Sequence, residues 1–215
     1  MWINREKGRL GPAGGFTLVE LLVAMLVGGI LLAAVLMSFQ TQHRTYLGQE
    51  QVVELQQNAR AAMDMIARDI RTAGYDPHDL GAGITDASSG RLEFTRSDHT
   101  GTLETIAYSL YDDESMSDGV TGDLMRQNGG SPGTVAENIR FLEFNYLDDD
   151  GNTTTVPENI SAVQVSILAQ SARRQPMISP YRPVYSTPGG QDWQADHGFF
   201  SRFFTTTVVC RNLGL

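Results

Sequence analysis

The sequence has very little lysine and cysteine, since Lys7 and Cys210 are the single residues of each type in 215. Because Cys210 is alone, no disulfide can form within the chain. Because Lys7 lies so near the start, the rest of the chain offers no lysine nucleophile or Schiff base. We interpret Cys210 as a small apolar residue of a terminal strand rather than as a reactive thiol.

Basic residues are also scarce, with 16 Lys and Arg against 25 Asp and Glu and a net charge of −9. Residues 1–15 are basic, with Arg5, Lys7 and Arg9 against Glu6, so the remainder is more acidic than the whole. An acidic domain repels nucleic acid, and no basic cluster interleaved with aromatic residues counters this. We therefore predict no nucleic-acid partner.

Patterns typical of catalytic or cofactor sites are missing. The four histidines lack metal-ligand spacing, and the chain has no Walker lysine and no dinucleotide fingerprint. The run from Asp148 to Asn152 offers the clustered oxygens that Ca²⁺ prefers, but it lacks the EF-hand register, which favours a hairpin turn. We predict a protein that is not an enzyme, with no cofactor and no metal site. Calcium binding by the Asp148–Asp150 loop stays open.

One long apolar run, Phe16–Met37, is present, and in its 22 residues Glu20 is the single charge. As a helix it would be about 33 Å long, enough to cross the bilayer core. The run exceeds the apolar region of a secretory signal and no small-residue cleavage site closes it, so we expect a membrane anchor. The basic flank places the N-terminus in the cytoplasm. A carboxylate in such a segment is costly and needs a cationic partner.

The stretch Gly15-Phe16-Thr17-Leu18-Val19-Glu20 resembles the prepilin signal of type IV pilins and of type II secretion pseudopilins. The resemblance implies that a membrane peptidase cuts after Gly15, that Phe16 becomes the N-methylated amino terminus, and that Glu20 is the assembly residue. The amine of one subunit would pair with Glu20 of a neighbour and fix its axial register. The implied partners are other major and minor pilins, the prepilin peptidase and methyltransferase, and the assembly platform of the inner membrane.

The residues after the anchor predict an amphipathic continuation of the same helix, from Phe16 to about Ala73. Gly74 and Pro77 are typical of a helix end. The exposed face would carry Arg60, Asp64, Arg68 and Arg71. Apolar residues spaced by three or four form one stripe, namely Leu55, Ala59, Ala62, Met63, Ile66, Ile70 and Ala73.

Beyond the helix, short alternating runs separated by turn residues predict strands. One long helix followed by antiparallel strands is an α+β fold, with the helix stripe covering one face of the sheet. The resemblance to pilins implies that this is the pilin fold. We expect a leader at 1–15, a transmembrane helix at 16–37, its amphipathic extension at 38–74 and a head domain at 75–215. The predicted strands are Leu92–Thr95, Thr105–Leu110, Leu124–Arg126, Ile139–Tyr146, Ala162–Leu168 and Phe203–Cys210, and Ser171–Ser201 reads as a long loop.

The segment Arg68-Asp69-Ile70-Arg71-Thr72-Ala73-Gly74-Tyr75 resembles the helix end of PilW-type minor pilins and of the J-type minor pseudopilin, and favours the former. This resemblance implies a structural subunit that helps to prime type IV pilus assembly. It would sit in the inner membrane with a periplasmic head and then in the surface pilus. The alternatives are a minor pseudopilin of a type II secretion system, or a pilus-associated adhesion module that binds through Ser171–Ser201.

The prepilin-like stretch Gly15–Glu20 predicts a defined amino terminus for the mature chain. Mass spectrometry of the mature protein is expected to find a first peptide that begins with N-methyl-Phe16. Residues 1–15 still attached in assembled material would contradict the predicted processing.

Overall fold

The computed structural model describes residues 15–111, 122–174 and 182–213. Apart from Gly15, the predicted leader 1–15 lies outside the described residues. The chain forms two compact units, residues 1–47 and 48–215. The elements in chain order are α1 (Leu18–Ile70), β1 (Ile84–Ser88), β2 (Arg91–Ser97), β3 (Leu103–Tyr111), β4 (Gly122–Asn128), β5 (Gly133–Leu147), a 3₁₀ turn (Pro157–Asn159), β6 (Ala162–Gln170), β7 (Val184–Ser186), β8 (Asp192–Gln194) and β9 (Ser201–Val209).

The first unit contains the apolar part of α1, and its described residues, 15–47, are all exposed. Apolar side chains cover every side of this part, so no single stripe could be buried against one partner. The segment is long and apolar enough to cross a membrane. A helix of this composition is stable in the hydrocarbon core of a bilayer or in a bundle of similar apolar helices.

In the second unit, α1 packs on the sheet through the predicted stripe. All seven stripe residues are buried, and Ala59, Ala62 and Ile66 have no exposed surface. The predicted solvent face is also confirmed, because Arg60, Asp64, Arg68 and Arg71 are exposed. The 3.6-residue period of the sequence therefore gave the correct packing face.

The helix ends at Ile70, three residues earlier than predicted. The amide of Thr72 donates to Asp69 O at 2.9 Å and that of Ala73 to Ile70 O at 3.1 Å, so the chain tightens into 3₁₀-type turns. Gly74 follows with φ of +74°. A Cβ there would meet the Leu213 side chain and lie 3.0 Å from the backbone oxygen of Asn212, so glycine suits both the conformation and the close packing.

The main sheet has seven antiparallel strands in the order β1-β2-β3-β4-β5-β6-β9, which confirms the predicted α+β fold. The sheet curls, since Phe144 N on β5 donates to Ser89 O at 2.8 Å in the β1–β2 turn. Tyr146 Oη makes a similar 2.9 Å bond to Arg91 O. Its largest fully buried apolar and aromatic side chains are Leu92, Phe94, Ile106, Tyr108, Leu124, Ile139, Phe144, Ile167 and Leu168.

Two parts of this architecture differ from the sequence prediction. Strand β1 was not predicted, and the stretch Ser171–Ser201 is not simply a long loop, because β7 and β8 pair within it. These short strands are held by packing against the outer face of the main sheet. Trp193 on β8 stacks on Phe141 at 5.4 Å between ring centroids and meets Phe203 edge-on at 5.9 Å.

A polar contact ties the end of α1 to the sheet. Asp69 Oδ2 accepts hydrogen bonds from Arg126 Nε at 2.7 Å and from Tyr108 Oη at 2.6 Å. Burial, with the Asp69 carboxylate beside the phenol, raises the pKa of Tyr108 well above its ordinary value. The phenol therefore remains a donor, and the half-buried carboxylate is satisfied by one cation and one neutral donor.

The buried stripe predicts how core truncation should act. Ile66→Ala is expected to lower the free energy of unfolding by about 3 kcal/mol, because it leaves a cavity between helix and sheet. The control Met65→Ala, at a site that is 39% exposed, should change it by about 0.5 kcal/mol or less. Trp193 is the single tryptophan after Gly15, so its fluorescence in denaturant titrations of the mature protein reports unfolding. Equal effects of the two variants would contradict this packing.

Candidate processing and assembly site

The predicted cleavage bond, between Gly15 and Phe16, lies two residues before α1. Residues 15–17 have no regular secondary structure, and α1 begins at Leu18. Phe16 is 92% exposed, and a Cβ at Gly15 would meet nothing within 4 Å. An exposed, non-helical bond beside a small residue is the local geometry that proteolysis requires.

Thr17 and Glu20 cap the first turn of α1 reciprocally. Glu20 Oε2 accepts from Thr17 N at 2.9 Å and from Thr17 Oγ1 at 3.0 Å. In return, Glu20 N donates to Thr17 Oγ1 at 3.2 Å. The amide of Leu21 donates to Thr17 O at 3.2 Å, which starts the helical ladder. This is a capping box, with Thr17 at the N-cap and Glu20 three residues later.

The capping box orients Glu20 but leaves its charge without a counter-ion. The two donors that bond to its carboxylate are both on Thr17 and both are neutral. Within residues 15–111, 122–174 and 182–213, no ion pair includes Glu20. In an apolar surrounding, a carboxylate needs a cation or a proton in addition to such hydrogen bonds. The arrangement can therefore accept a cationic group at the start of the helix.

The structure places Gly15 and Phe16 in the non-helical residues just before α1 and Glu20 in its first turn, and their roles in processing and assembly stay predictions. Sequence reasoning missed Thr17 as a member of this site. The signal was present, because Thr-x-x-Glu before an apolar run is the pattern of a capping box. Thr17 was included in the motif without a physical role of its own.

The acidic Asp148 loop is the hairpin-type turn that the sequence predicts. Asp148 Oδ1 accepts from the amides of Asp150 at 3.0 Å and Asn152 at 2.8 Å. Gly151 adopts φ of +81°, and its amide donates to Asp148 O at 3.0 Å. The Asp148 side chain and carbonyl thus close this turn by themselves.

Cys210 lies just after β9 and is 5% exposed. Its amide donates to Ser161 O at 2.8 Å, which continues the β6–β9 pairing. Burial raises the pKa of the thiol to about 12. The position agrees with the interpretation of Cys210 as a small apolar residue of the terminal strand, because a neutral buried thiol is a poor nucleophile.

Comparison with known proteins supports both the interpretation of the N-terminal motif and the description of the fold. Residues 12–36 match the family model of the prokaryotic N-terminal methylation motif. The fold is similar to that of the type IV-like pilin TTHA1219 from Thermus thermophilus, with a TM-score of 0.52 and 15% identity over 75% of this chain and 98% of that one. No curated protein matches the sequence. The chain therefore carries a prepilin-type methylation motif at the start of a type IV pilin fold.

The capping box predicts the behaviour of two substitutions at Thr17. Thr17→Val removes the hydroxyl acceptor of the Glu20 amide, so hydrogen exchange in the first turn should become faster. Thr17→Ser keeps the hydroxyl and should retain the wild-type rate. Amide hydrogen exchange of the mature protein in detergent measures both, and a wild-type rate in Thr17→Val would contradict the capping role.

Proposed function

We propose that this chain is a PilW-type minor pilin, a structural subunit of a type IV pilus and not an enzyme. The observation that carries the proposal is the coincidence of the methylation motif with the exposed, capped start of an apolar helix. In this proposal residues 1–15 are the leader, 16–37 the transmembrane helix, 38–74 its amphipathic extension and 75–215 the head.

The membrane orientation in this proposal follows from charge and hydropathy. The basic leader stays in the cytoplasm, the apolar part of α1 spans the inner membrane, and the head lies in the periplasm. Prepilin peptidase reaches the Gly15–Phe16 bond from the cytoplasmic side and releases the leader. The subunit then moves from the membrane into the pilus, where neighbouring helices replace lipid around its apolar surface.

Cleavage supplies the cation that Glu20 lacks. The new amine at Phe16 keeps its positive charge after methylation, because a secondary amine remains basic. Phe16 and Glu20 are four residues apart, and if the mature amino terminus continues the helix of α1, this corresponds to about 6 Å along the helix axis. A neighbour displaced by about one turn therefore presents its amine opposite Glu20. In a low-dielectric surrounding this attraction is strong, and it neutralises a carboxylate that is costly alone.

The contacts at the end of α1 support a structural role for the segment that resembles PilW-type proteins. Asp69 belongs to that segment, and its bonds to Arg126 and Tyr108 fasten the helix to the sheet. Gly74, at the end of the same segment, suits the positive φ and the close packing on Leu213. These residues hold the head on the helix.

Deletion of the gene, with piliation and secretion assayed separately, tests the choice of filament. A PilW-type minor pilin is expected to reduce piliation while type II secretion continues. Loss of secretion with normal pili would instead assign the chain to a type II pseudopilus. Normal pili and secretion with lost adhesion would favour the binding-module alternative. The complemented strain is the control.

The pairing of Glu20 with a neighbouring amine predicts a defect in incorporation. Glu20→Ala and Glu20→Gln should still insert in the membrane and be cut after Gly15. Their amounts in sheared pili should fall by about tenfold or more, because the neighbour's amine is left without its counter-ion. Glu54→Gln, at an exposed position on the same helix, is the matched control. Normal incorporation of both Glu20 variants would contradict the pairing.

A further inference from the structure

The edge strand β9 offers free backbone groups along most of its length, since among the described residues only the carbonyl of Ser201 at its start accepts a bond on the outer side, from the Arg202 side chain at 3.0 Å. It is the last strand of the main sheet and pairs with β6 over nine residues without a register shift. The bonds from Ser171 N to Phe200 O and from Cys210 N to Ser161 O, both 2.8 Å, extend this ladder at its two ends. In an antiparallel ladder, alternate residues bond to one side. The even-numbered residues of β9 therefore face β6, and the odd-numbered ones turn their amides and carbonyls outward.

This edge lacks the features with which proteins usually protect an exposed strand. Such edges are short, bulged or interrupted by proline or lysine. The opposite edge of the sheet follows that rule, because β1 has five residues and a register shift between Ile84 and Asp86. Strand β9 has nine residues, no bulge and no proline. Across the described ranges, no strand or backbone hydrogen bond covers its outer edge.

A basic groove of about 550 Å³ lies between this strand and α1. The helix side of the groove contributes Arg60, Asp64, Arg68 and Arg71, and β9 contributes Phe204, Thr205 and Thr206. Three arginines against one acid make the groove positive in a chain whose net charge is −9. In the described part of the chain, none of the three guanidinium groups forms an ion pair.

We propose that this groove binds an acidic, extended segment of a neighbouring filament subunit, which adds to the sheet as a strand beside β9. Main-chain bonds to the outward groups of Phe203, Thr205 and Thr207 would supply general affinity. Acidic side chains at alternate positions would point toward the helix and pair with Arg60 and Arg68. The assignment to a filament subunit rests on the proposed function, whereas strand addition and acidic selectivity do not.

Titration with synthetic peptides measures directly whether the groove prefers an acidic segment to a neutral one. The mature full-length chain in nanodiscs is titrated into a fluorescent nine-residue peptide of alternating Thr and Glu, which matches β9 in length. The control peptide has Gln in place of Glu. The acidic peptide should bind at least about tenfold more tightly, and added salt should weaken it. Equal binding of both peptides, or no binding, overturns the proposal.

Two pairs of variants separate the side-chain and main-chain contributions. The double variant Arg60→Gln/Arg68→Gln should weaken the acidic peptide by about tenfold or more, while Arg91→Gln on β2 should not. Thr205→Pro removes an outward amide without breaking a main-chain bond to β6 and should abolish binding. Thr205→Ala keeps that amide and should keep binding, and it is the matched control because both variants lose the side-chain bond from Ser166 Oγ to Thr205 Oγ1. Unchanged affinity in the double arginine variant or in Thr205→Pro overturns the proposal.

Hydrogen exchange on the wild-type chain gives a readout that does not depend on how the variants fold. Addition of the acidic peptide should slow exchange at the amides of Thr205 and Thr207, because these groups become hydrogen-bonded. Exchange at the even-numbered Thr206, already directed to β6, should change much less. Bound peptide with no added protection at Thr205 and Thr207 contradicts strand addition.

A photocrosslinker at Thr207 in living cells tests the identity of the partner. The expected adduct is a protein whose own sequence begins with an N-terminal methylation motif. An adduct with a protein that lacks the motif, or the absence of any adduct, would contradict the assignment to a filament subunit. The peptide measurements are unaffected by that outcome, so the two failures can be told apart.

Discussion

The single carboxylate in the apolar part of α1 is the constraint on which this account depends. Glu20 is charged, exposed to whatever surrounds the helix, and satisfied locally by Thr17 alone. Neutral donors orient a carboxylate but do not cancel its charge, and in a membrane or a helix bundle that charge is costly. The proposed cleavage after Gly15 would supply a cation, the amine of Phe16, which a neighbouring subunit would present to Glu20. One such ion pair would couple cleavage to assembly and set the axial register.

In the second unit, the same helix packs on the sheet through one face instead of being apolar on all sides. From Gly48 onward, α1 becomes half of a hydrophobic core, with one face on the sheet and an arginine-rich face in solvent. The contact of Asp69 with Arg126 and Tyr108 fixes the helix end where the apolar stripe stops. The exposed arginines then lie beside the open edge of β9, so the face that the core does not use is available for a partner.

The features predicted from sequence are those with a strong local period. The stripe from Leu55 to Ala73 and the six longest strands follow from residue spacing, and all seven stripe residues are buried. The β7–β8 pair was not predictable in this way, because three-residue strands among prolines carry no period. They exist through the packing of Trp193 on Phe141, which joins residues far apart in the chain. Likewise, the role of Asp69 depends on Arg126, which the helix sequence cannot reveal. The capping role of Thr17 was local and could have been recognised.

The contact between Glu20 and the amine of a neighbouring subunit is tested most directly by zero-length carbodiimide cross-linking of purified filaments. We expect a peptide pair in which Glu20 of this chain is joined by an amide bond to the methylated amino terminus of a different subunit. It should be found in filaments and be missing from the membrane-embedded monomer and from Glu20→Gln. If filaments that contain this chain yield no such pair, or if the monomer yields it equally, the proposed contact between subunits is contradicted.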